Sequence, residues 1–401
     1  MKLSKCVLTL VLILALLCGC KHESVAITTT EPNEVINEVS TLEERLVFRS
    51  KEIAEIYYDI YSAAEKTEPE DQWSMAMLSQ SSIDAIESRL LEAGIAVLDR
   101  TEKYPSYLPA PEKLYTFLDS VQAGNPAEYE IVSIGDSGSL AYRLFTNHEN
   151  GLFIHTITYD MESEECRNYE LHEVLDWELT EKKNFFYRIY PAGDKHYADY
   201  MLIRTTPPDT DLWDLTFQYI YPAEYTGTNI FLIDWEEGNW GELSFNDVWE
   251  YLYYYNEGDQ YYSILESFAW EDGFYNVPAS IFEETILPYF NIEAGDLQNM
   301  AQYNSEFDSY PWRPLQTNDF VFLHYYTCEP QVVAYKSNSD GTITLTVEML
   351  STDLKMDCLF AHEVTVRPLS DGTFHYVGNK VIFQTEYGLP FCEPRSTWGL
   401  G

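Results

Sequence analysis

Gly135-Asp136-Ser137-Gly138 places a serine between glycines beside an aspartate, a setting that can present a hydroxyl nucleophile. Such a serine needs a histidine base oriented by an aspartate. Proteases that use this signature carry the histidine ahead of the serine, and here the only histidine before Ser137 is His22. The segment also joins two stretches of period-two pattern, so it reads as a turn. His362-Glu363 suggests a zinc site, but a helical pair would need a second histidine where Val366 stands. His362 alternates instead with Phe360, Val364 and Val366, as a half-buried sheet histidine would. His172-Glu173 fails in the same way, with Asp176 at the ligand position. Asp209, Asp211 and Asp214 offer hard oxygens, yet calcium takes six to eight of them. Their loop lacks the glycine and terminal glutamate of a calcium loop, so it reads as solvated acid. No catalytic residue, metal ligand or cofactor is expected.

Aromatic residues beside acids recur in Trp235-Glu-Glu-Gly-Asn-Trp240 and Trp270-Glu-Asp-Gly-Phe-Tyr275. Sugar sites use this mixture, and so do turns that pin a ring on a core; the second reading is preferred. A helix over Ser244–Tyr255 puts Phe245, Val248, Trp249, Leu252 and Tyr255 on one face. That leaves Tyr251 and Tyr254 on the other, and they are the nominated binding pair. Glycoside hydrolysis needs two carboxylates at a set separation. Among 66 acids no pair stands out, and no glycine-rich phosphate loop is present.

The start of the chain carries a different chemistry. Lys2 and Lys5 precede an apolar run over Val7–Leu17, closed by Leu17-Cys18-Gly19-Cys20. The run is too short for a spanning helix, which needs about 20 residues, and its layout is that of a removed export signal. Leu-Cys-Gly-Cys resembles the box read by bacterial lipoprotein machinery, which implies cleavage before Cys20 and a diacylglyceryl thioether on it. Residues 1–19 are then a lipoprotein signal peptide. Residues 20–39, with Thr28-Thr29-Thr30, Pro32 and scattered glutamates, read as a disordered tether.

Charge bounds the partners. The net charge is −42, from 24 basic and 66 acidic residues, and such a field repels nucleic acid. The expected partners are the membrane, through the lipid anchor, and a glycan, peptide or envelope component. Apart from Cys20, the mature cysteines are Cys166, Cys328, Cys358 and Cys392. Export permits disulfides, and the four allow three pairings or none.

An α+β chain should position these groups. A helical region over 40–125 opens with capping boxes at Ser40/Glu43 and Thr41/Glu44. Leu42, Leu46, Ile53, Ile56, Tyr57 and Ile60 then recur at helical spacing. A second helix is expected over Ser81–Leu98 and a third over Glu112–Val121. From 126 to 236 the period becomes two, giving an antiparallel β domain with strands that include Leu215–Ile220 and Asn229–Asp234. Residues 237–385 read as helices followed by a β-meander with strands near 331–336, 342–350, 358–367 and 374–383. Asp340-Gly341 and Asp371-Gly372 are its hairpin turns. Residues 386–401 form a tail.

Asn229–Trp235, Leu243–Trp249, Val277–Glu283 with Tyr289–Ile292, Tyr310–Pro314, Ser339–Val347 and His362–Pro368 together resemble an uncharacterised family of exported lipoproteins from Gram-positive anaerobes, a domain of unknown function. The resemblance covers roughly residues 110–385. It implies an extracellular, membrane-anchored location and a shared fold, and no catalytic residues. The expected role is a non-enzymatic binding or interaction module. The alternative is an extracellular hydrolase whose carboxylate pair is not legible in the sequence.

Overall fold

The computed structural model describes residues 33–67, 76–101, 103–190, 198–225, 227–258, 268–271, 273–315, 328–390, 392, 394 and 395, with backbone alone for 33–41 and 271. The expected signal peptide and Cys20 lie outside them. The protein is α+β, with helices first and an antiparallel β-meander at the end. It divides into two compact units, one up to Pro208 and one from Asp209. The expected division at 125/126 falls inside the first unit, where the helices share cores with the sheet that follows, and the one at 236/237 falls inside the second, where one core takes residues from both sides of it.

Among the described residues the first unit is a six-stranded antiparallel meander with three helices. Helix α1 is Asn33–Ala63, α2 is Gln80–Glu92 and α3 is Glu112–Gln122. Strands β1 (Ala127–Ile134), β2 (Leu140–His148), β3 (Gly151–Asp160), β4 (Glu165–Leu179), β5 (Asn184–Ile189) and β6 (Asp199–Arg204) pair in chain order. Helix α1 starts earlier than expected, so Ser40 and Thr41 are interior to it and the tether loses its last residues. No glycine or proline interrupts Asn33–Ala63, and Pro32 sits just ahead, where proline suits a helix start. Helix α2 ends sooner than expected. Gly94 takes φ +78°, and Ile95 N–H closes onto the Leu90 carbonyl at 3.0 Å, a C-terminal cap that glycine adopts without strain.

Adjacent strand residues point to opposite sheet faces, and both faces are covered. Leu46, Ile53 and Tyr57 of α1 and Ile83, Ile86 and Leu90 of α2 pack with the face that carries Val132, Tyr142 and Leu144. Leu114, Phe117 and Leu118 of α3 pack with the face that carries Tyr129, Ile131 and Phe145. Strand β4 shows little alternation over Glu165–Glu173, which is mostly exposed.

The second unit contains α4 (Thr210–Tyr219), β7 (Trp235–Glu236), α5 (Phe245–Glu257), β8 (Ala269–Glu271), β9 (Phe274–Pro278), α6 (Ala279–Ile286), α7 (Ala294–Met300) and β10 (Ser309–Trp312). The meander β11 (Cys328–Ser337), β12 (Ile343–Ser351), β13 (Met356–Pro368) and β14 (Phe374–Gln384) completes it. Its sheets run β11-β12-β13-β14-β7 and β10-β9-β8. Two expected strands are corrected. Leu215–Ile220 falls in α4 and its C-cap, because Asp209 caps the helix by accepting from Leu212 N–H at 3.2 Å, starting it upstream. Asn229–Asp234 is a buried turn, where Leu232 N–H bonds the Asn229 carbonyl and the Trp235 indole N–H takes the Ile230 carbonyl at 2.7 Å. An apolar run alone does not distinguish a strand from such a turn.

Candidate functional site

The suspected catalytic and metal residues serve the fold. Gly135–Gly138 is the β1–β2 turn: Gly135 N–H bonds the Ser139 carbonyl, Ser137 bonds the Ser139 hydroxyl, and Tyr57 donates to the Gly138 carbonyl at 3.2 Å. His362 is fully buried, and its ring lies between Asn379 Oδ1 at 2.6 Å and Tyr225 Oη at 2.5 Å. Burial pushes its pKa down to about 3, so it stays neutral. His172 meets the Tyr190 carbonyl and Glu170. Asp209 is the cap of α4 and Asp211 lies in its first turn. Among the described residues no group of histidines, cysteines and acids could hold a metal ion. Cys166, Cys328, Cys358 and Cys392 are each half-buried and form no disulfide with one another.

The aromatic candidates separate. Trp235 and Trp240 are buried 5.5 Å apart, pinned on the core. Trp270 is exposed and rests edge-on against Tyr275 at 4.6 Å. Tyr251 and Tyr254 are both half-buried, and Tyr254 packs against the core of the second unit. The expected face of α5 was too narrow: Asn246, Asp247, Glu250 and Tyr253 are buried too, while Tyr255 is exposed.

Burial raises several carboxyls among the described residues, Glu87 and Glu224 among them. Burial, with Asp99 and Asp84 adding like charge, raises Glu87 to about 8 against the opposing hydrogen bond from Arg100 N–H. Burial raises Glu224, whose backbone sits at φ +54°, to about 7. Glu87 is only 4% exposed and lines neither depression described next.

What sequence reading missed is the outer edge of β1. Strand β1 ends the six-stranded sheet. Val132 turns its backbone outward, giving its N–H to Ala96 O and taking Leu98 N–H, both at 2.9 Å. In an antiparallel ladder, residues two apart share this direction, so Glu130 and Glu128 also present N–H and C=O outward. The chain at 96–98 stops short of them. Among the described residues no backbone group meets this part of the edge.

Two depressions flank it. The larger, about 550 Å³, lies on the α3 side and is walled by Gly94, Glu112, Lys113, Thr116 and Phe117. The smaller, about 420 Å³, lies on the α1 side against Arg45, Phe48, Arg49 and Glu52. Both share Glu128, Tyr129 and Glu130. Arg45 pairs with Glu128 at 2.9 Å, and Arg49 holds both oxygens of Glu130 at 3.1 and 2.8 Å. Burial pushes the Glu130 carboxyl up, but Arg49 outweighs it and holds the group below its usual range. Glu130 is thus a fixed anion unsuited to proton transfer. Tyr129 is 4% exposed, and its hydroxyl has no hydrogen-bond partner among the described residues. The arrangement can therefore offer a strand edge, two flanking recesses and one unsatisfied buried hydroxyl.

No curated protein and no solved structure matches this chain. A family of unknown function (DUF6070) matches residues 43–395. The chain belongs to that family, and the match takes in both units.

Proposed function

We propose that this member of the DUF6070 family is a lipid-anchored extracytoplasmic binding module that takes up an extended polypeptide by strand addition at β1. The carrying observation is the outward backbone of Glu128 and Glu130 where the two depressions meet. An added strand gains main-chain hydrogen bonds from an open edge and reads side chains through recesses on alternate faces. The anchor rests on the box ending at Cys20 and the basic, apolar start before it. With two acyl chains the attachment is stable, since each buried methylene contributes about 0.8 kcal/mol. A hydrolase reading gains little support at this cleft, because Glu128 and Glu130 are both held in ion pairs.

The test uses the full chain in detergent micelles with an alternating valine-lysine octapeptide. Saturating peptide should slow amide exchange at Glu128 and Glu130. Glu128→Pro, which removes an outward N–H that β2 does not use, should weaken binding at least tenfold, whereas Glu128→Ala should not. Unchanged exchange at both amides would refute strand addition. Fatty-acid labelling that persists in a Cys20→Ser form would refute the anchor.

A further inference from the structure

The larger depression has its own chemistry. Phe117 and Tyr129 stack along it with centroids 5.8 Å apart. Glu112 brings a carboxylate to it and Lys113 an ammonium, whereas Glu128 and Glu130 contribute backbone, their side chains alternating to the opposite sheet face toward α1. Lys113 is engaged by the Gly94 carbonyl at 2.8 Å, and Glu128 and Glu130 by the arginines of α1. Glu112 is exposed on the first turn of α3; its carbonyl accepts from the Thr116 hydroxyl, and its carboxylate has no partner among the described residues. The Tyr129 hydroxyl is equally unmatched although buried, and a buried polar atom without a partner is uncommon in a folded protein. An anion and an aromatic face on one recess, with an orphan hydroxyl on a residue that lines it, suit a cationic side chain.

A second copy of this chain is a poor occupant. Two β1 edges paired about a two-fold would set Glu128 and Glu130 against the same residues of the other copy, and like charges placed opposite each other destabilise a sheet. The net charge of −42 adds to that repulsion and favours encounter with cations.

We propose that the incoming strand is cationic, and that one of its lysine or arginine side chains enters the larger depression, donating to the Tyr129 hydroxyl oxygen and the Glu112 carboxylate over the Phe117 ring. The proposal rests on strand addition at β1. Glu112 and Tyr129 then set specificity, while the backbone of Glu128 and Glu130 holds the strand.

Fluorescence anisotropy with the full chain would compare octapeptides alternating valine with lysine, glutamate or norleucine, and a backbone N-methylated lysine version. The lysine peptide should bind at least tenfold more tightly than the norleucine peptide, and the glutamate peptide more weakly than either. Tyr129→Phe and Glu112→Gln should each weaken the lysine peptide three- to tenfold and leave the norleucine peptide unchanged. Equal affinities for lysine and norleucine would overturn the cationic seat and leave strand addition standing. Lysine-peptide binding that is indifferent to both substitutions would overturn the assigned recess. N-methylated peptide binding as tightly as its parent would overturn strand addition, and binding by none of the probes would overturn both.

Discussion

Arg395 Nε donates to Asp247 Oδ1 at 2.9 Å, with both side chains 1% exposed. The same guanidinium reaches Glu250 and gives hydrogen bonds to the carbonyls of Arg313 and Asp247. Glu250 also accepts from Leu315 N–H at 3.1 Å. A residue near the chain's end thus ties α5 to the segment after β10. Burial pushes the Asp247 carboxyl up, against the nearby positive charge of Arg395.

Breaking this pair by removing one partner leaves a buried charge uncompensated. Arg395→Met should destabilise the second unit by about 3–5 kcal/mol. Adding Asp247→Asn should recover part of the loss, because the stranded anion is removed with it. Urea unfolding of the two variants and the double variant measures the coupling. Additive losses would mean that Arg395 acts through packing alone.

Glu87 predicts a pH slope. Its folded pKa is raised to about 8 by burial and by Asp99 and Asp84. Between the unfolded value near 4.5 and 8, the unfolded chain releases a proton that the folded chain retains. The unfolded state binds fewer protons there, so this group lowers stability as pH rises, by up to about 1.4 kcal/mol per pH unit. Glu87→Gln should remove that slope. Melting of the variant and its parent at pH 5 and pH 8 checks it, with the variant gaining at the higher pH.

His362 has the opposite sign. Asn379 donates its Nδ2 to the Ile233 carbonyl at 2.8 Å, which turns its Oδ1 to the histidine. His362 Nδ1–H therefore donates to Asn379, and Nε2 accepts from the Tyr225 hydroxyl. With the folded pKa down near 3, its contribution is whole above the unfolded value near 6.5. It is lost as pH falls from there through the folded value. Imidazole shifts measured by NMR should show the Nδ1–H tautomer and no titration from pH 8 to pH 4. A midpoint near 6.5 would remove this reading.

Legibility followed periodicity. Ile343, Leu345, Val347 and Met349 alternate with threonines and Glu348, and β12 buries its apolar side as that pattern requires. The α1 spacing was equally plain. Leu215–Ile220 misled because Leu215, Phe217 and Tyr219 mimic a strand, while Asp209 and the register of Trp213, Thr216 and Tyr219 specify α4. Asp247 and Glu250, three apart beside apolar neighbours on α5, could have signalled a buried cation, but nothing local names Arg395 as the partner. The open edge of β1 was illegible for a deeper reason. Which strand ends a sheet is a property of the folded topology, and so is the isolation of the Tyr129 hydroxyl.

Tyr129→Phe separates stability from binding. The ring packs against Phe117 and Phe145, contacts that phenylalanine keeps. Its hydroxyl is buried without a partner among the described residues, and such a group costs on the order of 1–3 kcal/mol in lost hydration. Removing it should leave the fold as stable as before or more so, by about 1 kcal/mol, read as a rise in melting temperature. The same substitution should weaken the lysine peptide. A residue whose loss stabilises the fold and impairs binding is retained for its ligand. A lower melting temperature would instead mean that the hydroxyl already has a partner in the folded protein, and the cationic seat would lose its main support.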